Sequence, residues 1–206
     1  MNLISEIQYF PSVILYKYLY KFSNIVFEQY ESYQKMSFRN RCMIAGANGA
    51  VTLSIPLETG RNQKTLMKDV RISNSEKWQS RHWKSIESSY NKSSWFEFYK
   101  DELKALYEKP VDFLADWNLY CFEWSVKKLG TGFSFSNSAS FTKEYNPDEF
   151  LDLRNAILPK NYTEFEPIKY TQVFEDRTGF IPNLSILDLL FCEGKNSGNL
   201  LKSQPV

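Results

Sequence analysis

Cys42-Met43-Ile44-Ala45-Gly46-Ala47-Asn48-Gly49-Ala50-Val51-Thr52-Leu53-Ser54-Ile55 is the stretch that decides the fold class. Asn48-Gly49 sits between two apolar runs, and Asn-Gly readily takes the positive φ values of a tight hairpin turn. Two antiparallel strands, 42–45 and 51–55, are therefore predicted. Towards the N-terminus, residues 24–30 read as a buried strand around Ile25-Val26-Phe27. Residues 12–22, with apolar side chains three and four apart, read as a helix, and 4–10 as a short strand closed by Pro11. Beyond the hairpin, 68–73 predict one more strand.

Helical periods then take over. Ser73-Asn74-Ser75-Glu76 has the spacing of a capping box. Trp78, His82, Ile86 and Tyr90 follow every fourth residue and form one stripe of a helix. Residues 97–108 and 111–129 predict two further helices, the second stopped by Gly130. A short strand is expected at 133–135, a short helix at 148–158 ended by Pro159, and a last helix at 183–192, after Pro182 and before Gly194. The fold class that follows is α/β, with a mixed sheet in the N-terminal half that includes the Asn-Gly hairpin, and a helix-rich C-terminal half. Residues 1–194 are expected to form a single domain, and 195–206, polar and ending Gln204-Pro205-Val206, a flexible tail.

Composition narrows the function. In 206 residues, 25 Lys and Arg against 24 Asp and Glu leave a net charge of +1, which gives no support to a nucleic-acid partner. No run approaches the ~20 apolar residues of a spanning helix, and Glu6, Lys17 and Lys21 spoil a signal peptide, so a cytoplasmic location is expected. Cys42, Cys121 and Cys192 are scattered and odd in number, which favours neither a disulfide framework nor a cysteine metal site. Most of the 16 Phe, 13 Tyr and 5 Trp are expected to fill the core.

No phosphate loop, dinucleotide fingerprint, His-Glu-x-x-His or Gly-x-Ser-x-Gly is present, and the single histidine forbids a multi-histidine metal site, so no metal ligands are assigned. His82 is the one side chain whose ordinary pKa, ~6.5, lies near neutrality; it is either a catalytic proton acceptor or a core histidine bonded to a neighbour. Before the hairpin, Tyr33, Gln34, Arg39, Asn40 and Arg41 form a candidate substrate-binding set. The two arginines suit a phosphate or carboxylate, and a solvated edge strand is the alternative. Arg61, Lys64 and Lys68, around a loop with Gly60 and Asn62, either close over an anion or are solvated. Glu28 and Glu31 flank an aromatic-rich turn, and Asp188 is expected to partner a basic side chain or a backbone amide.

Ser37-Phe38-Arg39-Asn40-Arg41, the hairpin leading to Leu53-Ser54-Ile55-Pro56, and Trp78-x-x-x-His82 with Tyr90 resemble the WbqC-like protein family. So do Tyr170-Thr171-Gln172 and Phe180-Ile181-Pro182-Asn183-Leu184-Ser185-Ile186-Leu187-Asp188-Leu189-Leu190, and the ordered set runs from about Tyr9 to Gly194. The chain departs from that pattern at Tyr9-Phe10-Pro11, where Ser12 replaces the family's Trp, and at Gln29-Tyr30, which fills the place of an acidic pair. The family is associated with O-antigen and related surface-polysaccharide genes. The resemblance implies an enzyme of glycan-precursor synthesis, a transferase of acyl, aminoacyl or glycosyl groups acting on a sugar intermediate. His82 would then be the proton acceptor, and acyl-CoA or a nucleotide-sugar would be the class of co-substrate. A non-catalytic binding or scaffold protein of a polysaccharide assembly system is the alternative. Oligomeric state is not legible.

Overall fold

The structure, a computed structural model, describes residues 1–58 and 64–203. Its centre is a four-stranded parallel sheet. β1 (Asn2–Glu6) lies between β2 (Asn24–Glu28) and β6 (Phe150–Asp152), and β5 (Ser134–Asn137) flanks β2, giving the order β5-β2-β1-β6. Leu3 pairs with Ile25 on one side and Leu151 on the other, and Ile25 pairs with Phe135. β1 is buried almost throughout, as a central parallel strand covered on both faces must be. The second sheet is the expected hairpin, β3 (Arg41–Gly46) against β4 (Gly49–Ser54). Its turn is centred one residue earlier than expected. Gly46 pairs with Gly49 across Ala47-Asn48, and Gly49 itself takes the positive φ of 116°.

The α/β class is as read, but the main sheet is not confined to the first half of the chain. Residues 148–158 do not form a helix. Residues 150–152 become β6, because the second edge of β1 must find backbone partners and a three-residue strand supplies them. Residues 68–73 make no ladder; a 3₁₀ turn at Met67–Asp69 is followed by single bridges, Arg71 to Phe113 and Leu57 to Ile72.

The helices are α1 (Val13–Leu19), α2 (Trp78–Tyr90), α3 (Phe96–Tyr107), α4 (Leu114–Leu129), α5 (Glu175–Thr178), α6 (Ile186–Glu193) and α7 (Ser197–Ser203). The stripe Trp78, His82, Ile86 and Tyr90 does face inward. Gly130, at φ 64°, ends α4 as expected. The capping box does not form, since α2 begins at Trp78, Ser73 bonds Ser75, and Glu76 pairs with Arg81. Residues 195–203 are not a loose tail. A 3₁₀ turn leads into α7, and Leu201 is fully buried against the core. Residues 204–206 lie outside the described part.

Asp188 pins the two halves together, although among the described residues no basic side chain pairs with it. Tyr90 donates to its Oδ1 at 2.8 Å, and Tyr170 and Gln172 donate to its Oδ2, each at 2.8 Å. Tyr90 also accepts the Ala45 amide of β3 at 2.9 Å. Burial pushes the Asp188 carboxyl upward against the pull of these donors. Tyr90→Phe removes one hydroxyl that serves two buried groups. At ~1–3 kcal/mol for each unsatisfied buried group, it should lower unfolding stability by about 2–4 kcal/mol in a denaturant titration, with little change in slope.

Candidate functional site

Three of the parallel strands end in a carboxylate: Asn-Leu-Ile-Ser-Glu6, Asn-Ile-Val-Phe-Glu28 and Phe-Leu-Asp152. The carboxyl edge of an open parallel sheet is where ligands bind, at the point where strand order reverses. Here that point lies between β1 and β6, because the chain moves from β1 out to β2 and β5 and returns to the other side.

Glu6 and Glu28 are fully buried and in register. Glu6 accepts Gln8 Nε2 and the Asn155 amide, both at 2.9 Å. Glu28 accepts the Tyr30 amide at 2.8 Å and the Ser138 hydroxyl at 2.7 Å. Two guanidiniums answer these charges. Arg39, fully buried, binds Glu31 and lies 3.9 Å from Glu6. Arg154 binds Asp152 at 2.6 Å, lies 3.5 Å from Glu28, and donates to the carbonyls of Thr142 and Lys143. Backbone strain gathers at the same edge. Among the described residues, Phe10 (φ 39°), Met36 (55°) and Asn155 (58°) follow β1, β2 and β6, and only Asn183 shares their condition elsewhere.

A cavity of about 350 Å³ opens here. Glu31, Ser32 and Gln34 line it from the segment after β2, Asp152, Arg154 and Asn155 from the end of β6, and Phe141 and Lys143 from the segment after β5. Phe141 is 52% exposed and its ring sits 5.8 Å from the Arg154 guanidinium. Glu31 is nine-tenths buried; its Oε1 takes Arg39, and no protein donor to its Oε2 is found among the described residues. Burial pushes the Glu31 carboxyl above its ordinary range, Arg39 pulls it down, and Glu6 and Glu28 push it further up. A carboxyl held above its ordinary range and bordering a cavity is a candidate proton acceptor. A groove of about 590 Å³ beside Cys192 and Arg177 takes no residue from a strand end.

The residues expected from sequence divide around this edge. Gln34 is exposed and lines the cavity. Arg39 does not reach the cavity surface; it is sealed and holds Glu31. Tyr33 is buried, its amide bonded to Thr65 and its phenol pushed up by burial. Asn40 closes the base of the hairpin, exchanging bonds of 2.9 Å with Ile55. Arg41 is half-buried at the start of β3, with Nε sealed and unbonded. Lys68 lies over the Tyr30 ring and pairs with Asp69 at 3.8 Å. Lys64 is exposed, and Arg61 lies outside the described residues.

His82 does not face a cleft beside the arginines. It is 7% exposed, edge-on to Trp78 and stacked on Tyr9. Its Nε2 is 3.2 Å from the Ser54 carbonyl, which can only accept, so Nε2 carries the proton and Nδ1 accepts from the Tyr9 hydroxyl at 3.0 Å. Tyr107 completes the chain by bonding Tyr9. Burial, with Arg81 adding to it and the Ser54 bond opposing, lowers the His82 pKa to about 4. Both nitrogens of the imidazole are thus engaged by groups of the core. Glu6, Glu28, Asp152 and Arg154 were not singled out for this role from sequence, although the recurring pattern of an apolar strand closed by an acid was present to be read.

Against family models, residues 7–164 and 144–200 match the WbqC-like protein family, and the chain belongs to it. Searches of curated proteins and of solved structures returned no match.

Two measurements test this electrostatic arrangement. Since the His82 pKa is depressed from 6.5 to about 4, its contribution to stability is intact above pH 6.5 and is lost as pH falls towards 4, where the unfolded chain binds the proton and the fold does not. The difference between wild type and His82→Gln should therefore change by about 3 kcal/mol across that window, at ~1.36 kcal/mol for each pKa unit. Arg39→Met should cost about 3–5 kcal/mol, because it leaves Glu6 and Glu31 buried without their cation. Chemical denaturation at neutral pH reads it directly.

Proposed function

We propose that this protein is a transferase of surface-polysaccharide or glycan-precursor synthesis, working in the cytoplasm and moving an acyl, aminoacyl or glycosyl group onto a sugar intermediate. The observation that carries this reading is the cavity at the carboxyl edge, where one oxygen of the buried Glu31 carboxylate is left without a donor. The family context supplies the class of substrate. No helix among the described residues is long and apolar enough to cross a membrane, which is compatible with that context.

In this reading the acceptor lies in the cavity with its nucleophilic group at Glu31 Oε2. As the nucleophile attacks the donor's carbonyl or anomeric carbon, its proton passes to Glu31 and the donor's leaving group departs. Arg39, on the other oxygen, fixes the carboxylate and keeps it from turning away. Ser32 and Gln34 orient hydroxyls, and Lys143, at the rim, meets a phosphate or carboxylate of an acyl-CoA or nucleotide-sugar donor. Positioning supplies most of the remaining rate. A binding or scaffold role is the second reading. It is favoured by Phe98, 71% exposed beside Trp95, and by the groove between α3 and α4 walled by Leu106, Tyr120 and Trp124.

A panel of acyl-CoA and nucleotide-sugar donors with sugar acceptors, read by mass spectrometry, decides between them. One donor class should give product, and Glu31→Gln should lower turnover ~10²–10⁴-fold with the fold intact by circular dichroism. Unchanged turnover in Glu31→Gln removes Glu31 as the base. Loss of partner capture in Phe98→Ser, with no product from any donor, supports the scaffold.

A further inference from the structure

We infer that the groove between α3 and α4 is an interface between two copies of this chain, related by a two-fold axis, with Phe98 of each copy seated in the groove of the other. The inference holds whether the protein acts as a transferase or as a scaffold.

Leu106, Tyr120 and Trp124 wall a groove of about 350 Å³, room for one aromatic side chain. Phe98 stands on the same exposed stripe of α3, four residues before Glu102 and seven before Ala105. At 71% it is more exposed than any other large apolar side chain among the described residues. Phe98 cannot fill the groove of its own chain, because eight residues of helix, about 12 Å at 1.5 Å per residue, separate it from Leu106. An aromatic side chain and a recess that fits it, set apart on one face, are satisfied together when two copies meet face to face. A two-fold axis makes both contacts at once, and a buried aromatic is the usual anchor of such an interface.

Charge favours a second copy over an acidic or a basic partner. The groove's rim carries two acids, Glu102 and Glu123, and two lysines, Lys109 and Lys127, so a strongly charged partner meets as much repulsion as attraction. The chain as a whole stands at +1, which leaves little repulsion between copies. Along α3 the acids Glu97, Asp101 and Glu102 come first, and Lys104 and then Lys109 follow. Lys100 is tied to Glu97 within the helix at 2.6 Å, and Glu108 alone breaks the order. An antiparallel second α3 therefore sets acid against base. Seating Phe98 level with Tyr107 of the other copy, between Leu106 and Lys109, brings Asp101 opposite Lys104 of that copy. Asp101 and Lys104 are exposed, and neither makes an ion pair among the described residues. Near the axis Glu102 and Lys127, 3.3 Å apart in one chain, meet the same two groups of the other as a neutral quartet.

Sedimentation equilibrium of the full chain over micromolar to millimolar concentrations tests the interface. The wild type is expected to reach twice the mass of one chain and no more. Phe98→Glu should weaken that association at least ~10-fold, with an unchanged circular dichroism spectrum, since the side chain it replaces is exposed. Asp101→Lys and Lys104→Asp should each weaken it, and the double swap should restore it, because the pair is then rebuilt with its signs exchanged. A wild type that stays monomeric throughout overturns the inference, as does an association that Phe98→Glu leaves untouched. A mass beyond two chains, or a double swap no better than its single parents, overturns the antiparallel two-fold pairing.

Discussion

Glu6 and Glu28 stand side by side at the ends of two central strands, in register and sealed from water. Two like charges so placed are tolerable only because a guanidinium reaches each of them from outside the sheet. Much of the local architecture follows. Arg39 must be delivered to Glu6 from the segment between β2 and β3, and Asn118 of α4 fastens it there by accepting no compromise in geometry: its Nδ2 donates to both the Arg39 and Ile7 carbonyls. Arg154 must be delivered to Glu28 from beyond β6, and in doing so it gathers the 142–145 segment onto itself through two carbonyls and the face of Tyr145. Arg154, one of the two side chains that relieve the repulsion, also lines the cavity, and Arg39 holds the Glu31 that lines it.

What the sequence revealed and what it concealed divide by range of interaction. The hairpin, the inward stripe of α2 and the stop at Gly130 are set by residues within a few positions of one another, and all were legible. β6 was not, because nothing local in Phe150-Leu151-Asp152 asks for a strand; the demand comes from the unpaired edge of β1, almost 150 positions away in sequence. The polar composition of 195–203 hid a helix that is held by one deeply buried leucine, Leu201. At the site, Gln34 and the neighbourhood of Glu31 were within reach, but the burial of Arg39 against Glu31 was not. Sequence gives a guanidinium's presence, and only the fold shows which carboxylates have already claimed it.

The stretches that carry the family resemblance include several that hold the molecule together. Tyr90, Tyr170, Gln172 and Asp188 meet in one knot joining α2, β3, α6 and the segment before α5. Asn40 ties the hairpin to Ile55, and His82 ties α2 to the end of β4. These residues have polar atoms turned inward and, Asn40 Oδ1 aside, hydrogen-bonded, so a motif rich in Tyr, Asn, His and Asp need not mark a surface that meets a ligand.

Proton chemistry at neutral pH requires a group that changes state there, and this fold moves its titratable groups in opposite senses. Burial among aromatic rings carries the only imidazole down to about 4, where it stays neutral and inert as a structural bond. Burial beside two further carboxylates carries Glu31 upward from the ordinary carboxylate range, with Arg39 limiting how far it goes. When environments push two groups apart in this way, their roles follow from the direction of each shift and from what each can touch. His82 touches Tyr9 and a carbonyl, whereas Glu31 borders a cavity between strand ends. The histidine that sequence chemistry would nominate first is bonded within the core, and Glu31 is a titratable group that stands beside a cavity.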